Sequence, residues 1–316
     1  MKRRMRREAL GRRFWLKRLL RTLITLWAVV TFTFVVLRTS GDPVVALLSP
    51  DALPAEIEQF RQKWNLDRSL FEQYIAYMLN LLSGDFGHSY QDGRAVTAII
   101  AERLPNTLQL GAVAYLWALA IGIPAGILAA LKRDSLLDRG VMTFAVVGFA
   151  LPNYFLGILM ILFFSFHLRW LPSAGTGSAL HLIMPGLTLG FYVAGTLARF
   201  TRSAMLEVLE RPYMRTIQAK GTPFLYGVLR HALPNAAIPI VTILGLNLGA
   251  LVGGTVVVEA VFGWPGIGRL LVQTVASRDL AVVQGLVLMM AAFMVLANLL
   301  ADLTYSLIDP RIRVSK

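Results

Sequence analysis

Lys220, Gly221 and Thr222 come closest to chemistry in this chain, because a lysine, a glycine and a hydroxyl side by side are parts of a phosphate-binding loop. The order is wrong for that purpose. A loop that wraps a phosphate needs Gly-x4-Gly-Lys-Ser/Thr, with glycines ahead of the lysine so that backbone N–H groups converge on the anion. Gln218-Ala219-Lys220-Gly221-Thr222 has the lysine first, and no other segment supplies the spacing. The histidines, His88, His167, His181 and His231, are scattered, with no pair at metal-ligand spacing. No Gly-x-Ser-x-Gly elbow occurs. Cysteine is absent, which excludes disulfides, thiolate metal sites and cysteine nucleophiles. Acids inside the apolar runs, which would suggest proton relays, are nearly lacking; Asp302 is the candidate, and it sits near a span end where headgroups are in reach.

What remains is mechanical. The same residues belong to a loop, Arg199 to Asn235, between two apolar runs. Pro212 suits the first turn of a short helix and Gly221 the position just past its end. Thr222 and Pro223 read as the cap and first turn of a second helix, on which Phe224, Leu225, Val228, Leu229, Ala232 and Leu233 share one face. The expected element is a basic helix-Gly-helix knob with a tightly packed Phe224/Leu225/Val228/Leu229 face. That stripe suits either docking into a partner or lying on a membrane surface.

The elements that position this knob are membrane spans. Of 316 residues 56% are hydrophobic and 16% charged, against about a quarter charged in soluble domains. Several uncharged runs reach the roughly 20 residues that cross a hydrocarbon core. The chain divides into a basic tail 1–21, a first span 22–37, an external segment 38–94, a region 95–306 with five further spans, and a terminal piece 307–316. The five spans are about 106–131, 141–166, 182–198, 236–258 and 281–301. The fold class is all-α and polytopic, with six transmembrane helices. The run after the basic tail ends without an Ala-x-Ala-like cleavage site, so it reads as a retained span rather than a removed signal. Glu56 to Trp64 and Leu70 to Leu82 have helical patterns, the second with a Leu70, Tyr74, Tyr77, Met78, Leu81 stripe. Pro124, Pro152, Pro185 and Pro239 lie in or at the ends of spans, with helix-end roles expected for Pro185 and Pro239.

The net charge of +13 is a topology signal. Of 31 Lys and Arg, 22 fall in the tail, in 132–140, in 199–235 and at the C-terminus. By the positive-inside rule those are cytoplasmic, with both termini inside. Nucleic acid binding is not needed to explain the charge. No fixed-period repeat and no inverted repeat is visible, which disfavours solenoids and inverted-repeat carriers.

Motifs along nearly the whole chain resemble the permease subunits of binding-protein-dependent ABC importers, in the dipeptide, oligopeptide, glutathione and nickel branch. Gly221, nine residues, then His231-Ala232-Leu233-Pro234 is similar to the Gly-x9-Ile-x-Leu-Pro end of their cytoplasmic loop, and Arg215-Thr216-Ile217-Gln218-Ala219-Lys220 precedes it. Gly41-Asp42-Pro43, Gly84-Asp85-Phe86-Gly87-x-Ser89, Arg103-Leu104-Pro105-x-Thr107, Ala198-Arg199-x-Thr201-Arg202-Ser203, Val257 through Gly268 and Asp309 through Arg313 fall in the family's order. Ile217 stands where alanine is usual, His231 where an aliphatic residue is usual, and Ser40 where proline often stands.

The resemblance implies a type I ABC importer permease fold in a bacterial inner membrane. It implies a second homologous permease subunit, two ATPase subunits that bind the ATP, and an external solute-binding protein, with no cofactor in this chain and no enzyme activity of its own. Its coupling loop maps onto Tyr213, Arg215, Thr216, Ala219, Lys220, Gly221, Leu225, Leu233 and Pro234. Gly245, Gly249 and Gly253, at four-residue spacing, read as a helix-packing seam within or between subunits. Asn247, Thr255 and Gln284 face either a substrate path or a neighbouring helix, and Trp264 marks either an outer gate or an interfacial anchor. The competing readings are an ion- or proton-coupled carrier and a polytopic membrane enzyme; the shortage of intramembrane acids and of clustered His or Cys weighs against them.

Overall fold

The computed structural model describes residues 2–39, 44, 47–48 and 52–308. Ser40, Gly41-Asp42-Pro43 and the Asp309 to Arg313 motif lie outside the described residues, as does the side chain of Asp302. The elements are helical throughout the described residues, apart from an isolated bridge between His88 and Ala95. In order they are α1 (Lys2–Thr39), α2 (Pro54–Lys63), α3 (Leu70–Leu82), α4 (Val96–Leu131), α5 (Leu136–Ala150), α6 (Asn153–Met160), α7 (Ile183–Leu209), α8 (Pro212–Ala219), α9 (Phe224–Gly227), α10 (Leu233–Val261), α11 (Ile267–Ala276) and α12 (Leu280–Ile308). π-helical turns, Ile161–His167 and Val228–Ala232, follow α6 and α9. Among the described residues five helices are long and apolar enough to span a bilayer, and a sixth span exists if α5 with α6 counts as one.

Several boundaries differ from the sequence reading, for physical reasons. The tail and first span are one helix, α1, with no break at residue 21. α4 begins ten residues before the apolar run, so Arg103 to Thr107 lie on a helix. The stretch 141–166, expected as one span, bends by 109° between α5 and α6. Leu151 is extended, as the residue before a proline prefers, and Pro152 caps α6. Pro239, expected at a helix end, lies inside α10, because that helix starts at Leu233.

The chain forms two compact units: residues 1–107 with 265–293, and residues 108–264 with 294–316. In the first, α3 packs on α1 through Phe34, whose ring meets Tyr74 edge-on at 5.3 Å and Tyr77 stacked at 6.0 Å, while Thr31 and Tyr74 hydroxyls share a hydrogen bond. Leu70, the first member of the expected stripe, is exposed. The Gly84-to-Ser89 motif is a turn. Gly84 and Gly87 take positive φ, and Asp85 Oδ1 accepts the Gly87 N–H. Ser89 Oγ donates to the buried Asp279 at 2.5 Å. Asn106 donates to the Pro265 carbonyl and Thr107 Oγ1 accepts the Ile267 N–H, which ties the start of α4 to the start of α11.

In the second unit α7 is the centre. Gly122 and Gly126 of α4 lie against Ala194 and Ala198 of α7, so closely that a Cβ at Gly126 would come 2.5 Å from the Ala198 carbonyl oxygen. Gly190 likewise meets Ala114. The pairings advance together along both helices, so α4 and α7 run parallel. α5 crosses α7 antiparallel, with Gly195 against Ala145 and Gly148 against Phe191. Small residues at every fourth position let the backbones touch, the usual solution where lipid supplies no hydrophobic drive.

Candidate functional site

α7 ends at Leu209, and Arg211 is extended, which turns the chain. Pro212 opens α8, where its missing N–H costs nothing. The helix stops at Lys220, and Gly221 adopts φ +80, its N–H donating to the Gln218 carbonyl at 2.9 Å. This is the left-handed cap that glycine accepts without penalty. Pro223 holds the cap position of α9, one residue later than expected.

α9 does not form a separate knob helix. It runs through the π turn at 228–232 directly into α10. Pro234 accounts for the widened turn: it has no N–H for the Arg230 carbonyl, and its ring needs room there. The wider turn also splits the expected stripe. Val228 and Ala232 are fully buried, with Met214 of α8. Phe224, Leu225, Tyr226 and Leu229 are each half or more exposed. The expectation that Phe224, Leu225, Val228 and Leu229 pack as one face is therefore corrected; only Val228 of that set faces in.

The knob nevertheless has its own core. Met214, Val228 and Ala232 belong to the main cluster of the second unit, with Tyr213, Ile217 and Leu233 packed on it. Ile217 sits over Gly227, where a Cβ would lie 3.6 Å from its Cγ2, so the unusual isoleucine fills space left by a glycine. His231 places its ring near Tyr226. Arg215, Thr216, Ala219, Lys220 and Pro234 are exposed. The outer surface of the hairpin thus combines basic side chains with four large apolar ones.

The seam and path residues fall differently. Gly249 packs near Asn298 and Met294, and Gly245 is buried. Gly253 has nothing within 4 Å; the tight contact belongs to its neighbour Gly254, beside Leu189 and Asn153. Asn247 is buried and donates to the Ile243 carbonyl of its own helix. Thr255 is buried. Trp264, read as gate or anchor, is a core residue at 3% exposure, because Gly263 at φ +59 folds the chain back and the Trp264 N–H reaches the Glu259 carbonyl. Gln284 alone of the four keeps an unmet demand: it is 6% exposed and its Nε2 has no hydrogen-bond partner. A cavity of about 630 Å³ runs between α1 and α12 and is lined mostly by apolar side chains such as Ile24, Phe32, Val283 and Val287, with Thr25 and Thr33 its polar members.

Among the described residues three acids are buried that were not expected to be, Asp302 having been the candidate. Glu259 on α10 is fully buried, Asp138 on α5 is 3% exposed and Asp279 is 1% exposed. Glu259 could have been seen as one acid inside Val-Val-Val-Glu-Ala-Val. The tight glycine seam was also legible, as Gly122-x3-Gly126 against Gly186-x3-Gly190-x3-Ala194-x3-Ala198.

Comparison with known proteins gives a consistent family. Residues 122–314 match the family described as binding-protein-dependent transport system inner membrane component, and residues 12–111 match the corresponding N-terminal family. The chain is 44% identical over 299 residues to the glutathione transport system permease protein GsiC of Escherichia coli strain K12, covering 94% of this chain and 98% of that one. The protein of that name from Shigella flexneri serotype 5b (strain 8401) matches with the same identity and coverage. Among solved structures, the inward-facing MetNI methionine ABC transporter matches with a TM-score of 0.58, over 67% of this chain and 97% of that one, at 20% identity.

Proposed function

The chain belongs to the binding-protein-dependent transport system inner membrane components, and from that premise we propose that it lines one side of a path for peptides or peptide-like solutes and receives its driving force through residues 210–232. Its fold is the all-α type I importer permease fold. It is a multi-pass translocation subunit of an ABC importer, a transport component rather than an enzyme.

In this reading a second homologous permease completes the path, two ATPase subunits bind the ATP, and an external solute-binding protein delivers substrate. The chain itself holds neither ATP nor a cofactor. Both termini and the loops 132–140 and 199–235 face the cytoplasm, in line with their 22 Lys and Arg. Identity to a permease named for glutathione supports a peptide-class substrate.

The observation that carries the reading is the knob. Its inner face is rigidly packed on Met214, Val228 and Ala232, while Phe224, Leu225, Tyr226 and Leu229 are exposed beside Arg215 and Lys220. Clustered exposed apolar side chains on a protruding hairpin mark an interaction site. Tyr213, Arg215, Thr216, Ala219, Lys220, Gly221, Leu225, Leu233 and Pro234 make up the coupling element, some as surface and some as support. Because the chain has no cysteine, Leu225→Cys supplies a unique handle. In the native assembly the introduced thiol should cross-link to the ATPase subunit. A thiol that reacts freely there with water-soluble maleimide and never joins the ATPase refutes the assignment. Solute accumulation by the purified chain alone in liposomes, driven by membrane potential, would instead favour the ion- or proton-coupled carrier.

A further inference from the structure

α5 and α7 are held together at three levels of one antiparallel register. Gly148 lies against Phe191, where an added Cβ would come 3.2 Å from the Phe191 carbonyl oxygen. About one turn on, Gly195 lies against Ala145 at 3.1 Å by the same measure. Another two turns on, Asp138 meets Arg202. The guanidinium grips the carboxylate with both prongs, Nε to Oδ1 at 2.5 Å and Nη2 to Oδ2 at 2.6 Å. Oδ2 also accepts the Asp134 N–H at 2.9 Å, from a residue held at φ +63, and the Asp138 N–H donates to Ser135 Oγ. Asp138 is 3% exposed. Such planar, two-pronged pairs fix orientation as well as distance, and here the carboxylate side is buried while the Arg202 side chain is 23% exposed. The neighbouring Arg133–Glu210 pair, at 2.6 Å, is exposed on both sides and contributes little by itself.

The position of this pair gives it a task. Arg202 stands ten residues before Pro212, on the helix that leads into the knob. Asp138 stands at the start of the helix that ends in the 109° bend. Beyond the bend, Asn153 approaches Gly254, and Gly157 of α6 lies against Val261 and Phe262 at the end of α10. We propose that Asp138 and Arg202 are a positioning clasp that forces α5 to follow α7, so that motion of the knob reaches the Val261–Phe262 end of α10 through α5 and α6. The route crosses between helices instead of following the backbone. The inference rests on the coupling role given above to residues 210–232.

The test uses the whole complex, this chain with its second permease, ATPases and binding protein, in proteoliposomes with labelled glutathione, or failing that a labelled dipeptide or longer peptide, as the probe. The readout is solute imported per ATP hydrolysed, alongside the thermal midpoint of the complex. Asp138→Asn should keep ATP hydrolysis while import per ATP falls at least about five-fold, the low end of typical coupling between sites. The exchange Asp138→Arg with Arg202→Asp should recover part of the loss, which plain destabilisation would not allow. Should Asp138→Asn fail to assemble, Arg202→Lys keeps the charge but not the fork, and should also lower import per ATP. A wild-type complex that hydrolyses ATP without importing glutathione, a dipeptide or a longer peptide overturns the functional reading beneath the inference. A coupled wild type with Asp138→Asn or Arg202→Lys equally coupled overturns the clasp alone.

Discussion

Gly221 separates backbone strain from side-chain bulk with unusual clarity. Its φ of +80 is one that L-residues avoid, and an added Cβ would meet nothing within 4 Å. A substitution therefore carries no steric clash inside the chain, only the cost of the left-handed conformation, about 1–2 kcal/mol. Asparagine tolerates that region; a β-branched residue is a genuine outlier in it. Neither Asn nor Val clashes at Cβ within the chain, so the difference between them there reports the backbone. A strain of 1–2 kcal/mol changes the fraction of correctly turned knobs by a factor of roughly 5–30. The turn is exposed and local, so the thermal midpoint of the chain should not move. In proteoliposomes with the full set of partners, import per ATP should fall in the order Gly, Asn, Ala, Val, with Val lowest by about that factor. If Gly221→Val couples as well as Gly221→Asn, the turn does not transmit force, and the knob is not the coupling element.

Other perturbations follow from the same geometry. Gly126→Ala puts a Cβ 2.5 Å from the Ala198 carbonyl oxygen and 2.6 Å from Thr201 Cβ, so it should cost about 1–3 kcal/mol and lower the thermal midpoint, whereas Gly253→Ala should leave the isolated chain unchanged. Gln284→Leu removes a buried amide whose unpartnered Nε2 costs about 1–3 kcal/mol, so stability should hold or rise while import falls; unchanged import would show that Gln284 does not meet substrate. Hydrogen bonds from the Ser69 hydroxyl, and then its backbone N–H, hold the Glu72 carboxyl below its usual 4.5. A lowered folded-state value stabilises at pH above the usual carboxylate range and is lost as pH falls through it, so amide protection at the start of α3 should drop in acid, and Ser69→Ala, which removes the hydroxyl but keeps the backbone N–H bond, should weaken that pH dependence.

Where proline and glycine dictate the backbone, the sequence was legible: Pro212 and Gly221 bound α8 where expected, and the knob follows. The stripe failed because it assumed 3.6 residues per turn across a stretch that holds a π turn. Five residues in that turn shift the phase, sending Leu229 outward while Val228 and Ala232 stay in. Within the chain the close contact on this stretch of α10 belongs to Gly254, one residue and about 100° on from Gly253, which leaves Gly253 open to a neighbour outside the chain. The bend at Pro152 was readable in principle, since the residue before a proline leaves the helical region. Trp264 was not: its burial depends on the Gly263 turn, which no hydropathy window registers. Glu259 vanished into the average of the apolar residues around it.

Exposure has a different meaning at different places in this chain. Exposed Phe32, Leu116 or Phe163 lie on helices apolar enough to sit in lipid and need no partner. Phe224, Leu225, Tyr226 and Leu229 are equally exposed and open a helix, Phe224–Gly249, that is also apolar enough to span, but they share a short hairpin with Arg215, Lys220 and Arg230. A hydrocarbon phase would have to desolvate those cations, at about 2.5–3.5 kcal/mol each by insertion scales. A headgroup layer would satisfy the cations, yet a surface helix also needs one continuous apolar face, and the π turn has divided this one between the hairpin's core and its exterior. A protein groove that takes the exposed rings and leucines while leaving the basic side chains at its rim satisfies both demands. The misfit with lipid is therefore itself an argument that the hairpin seats in another protein, and under the proposed coupling the tight α7 seams behind it would carry that seating to the spans.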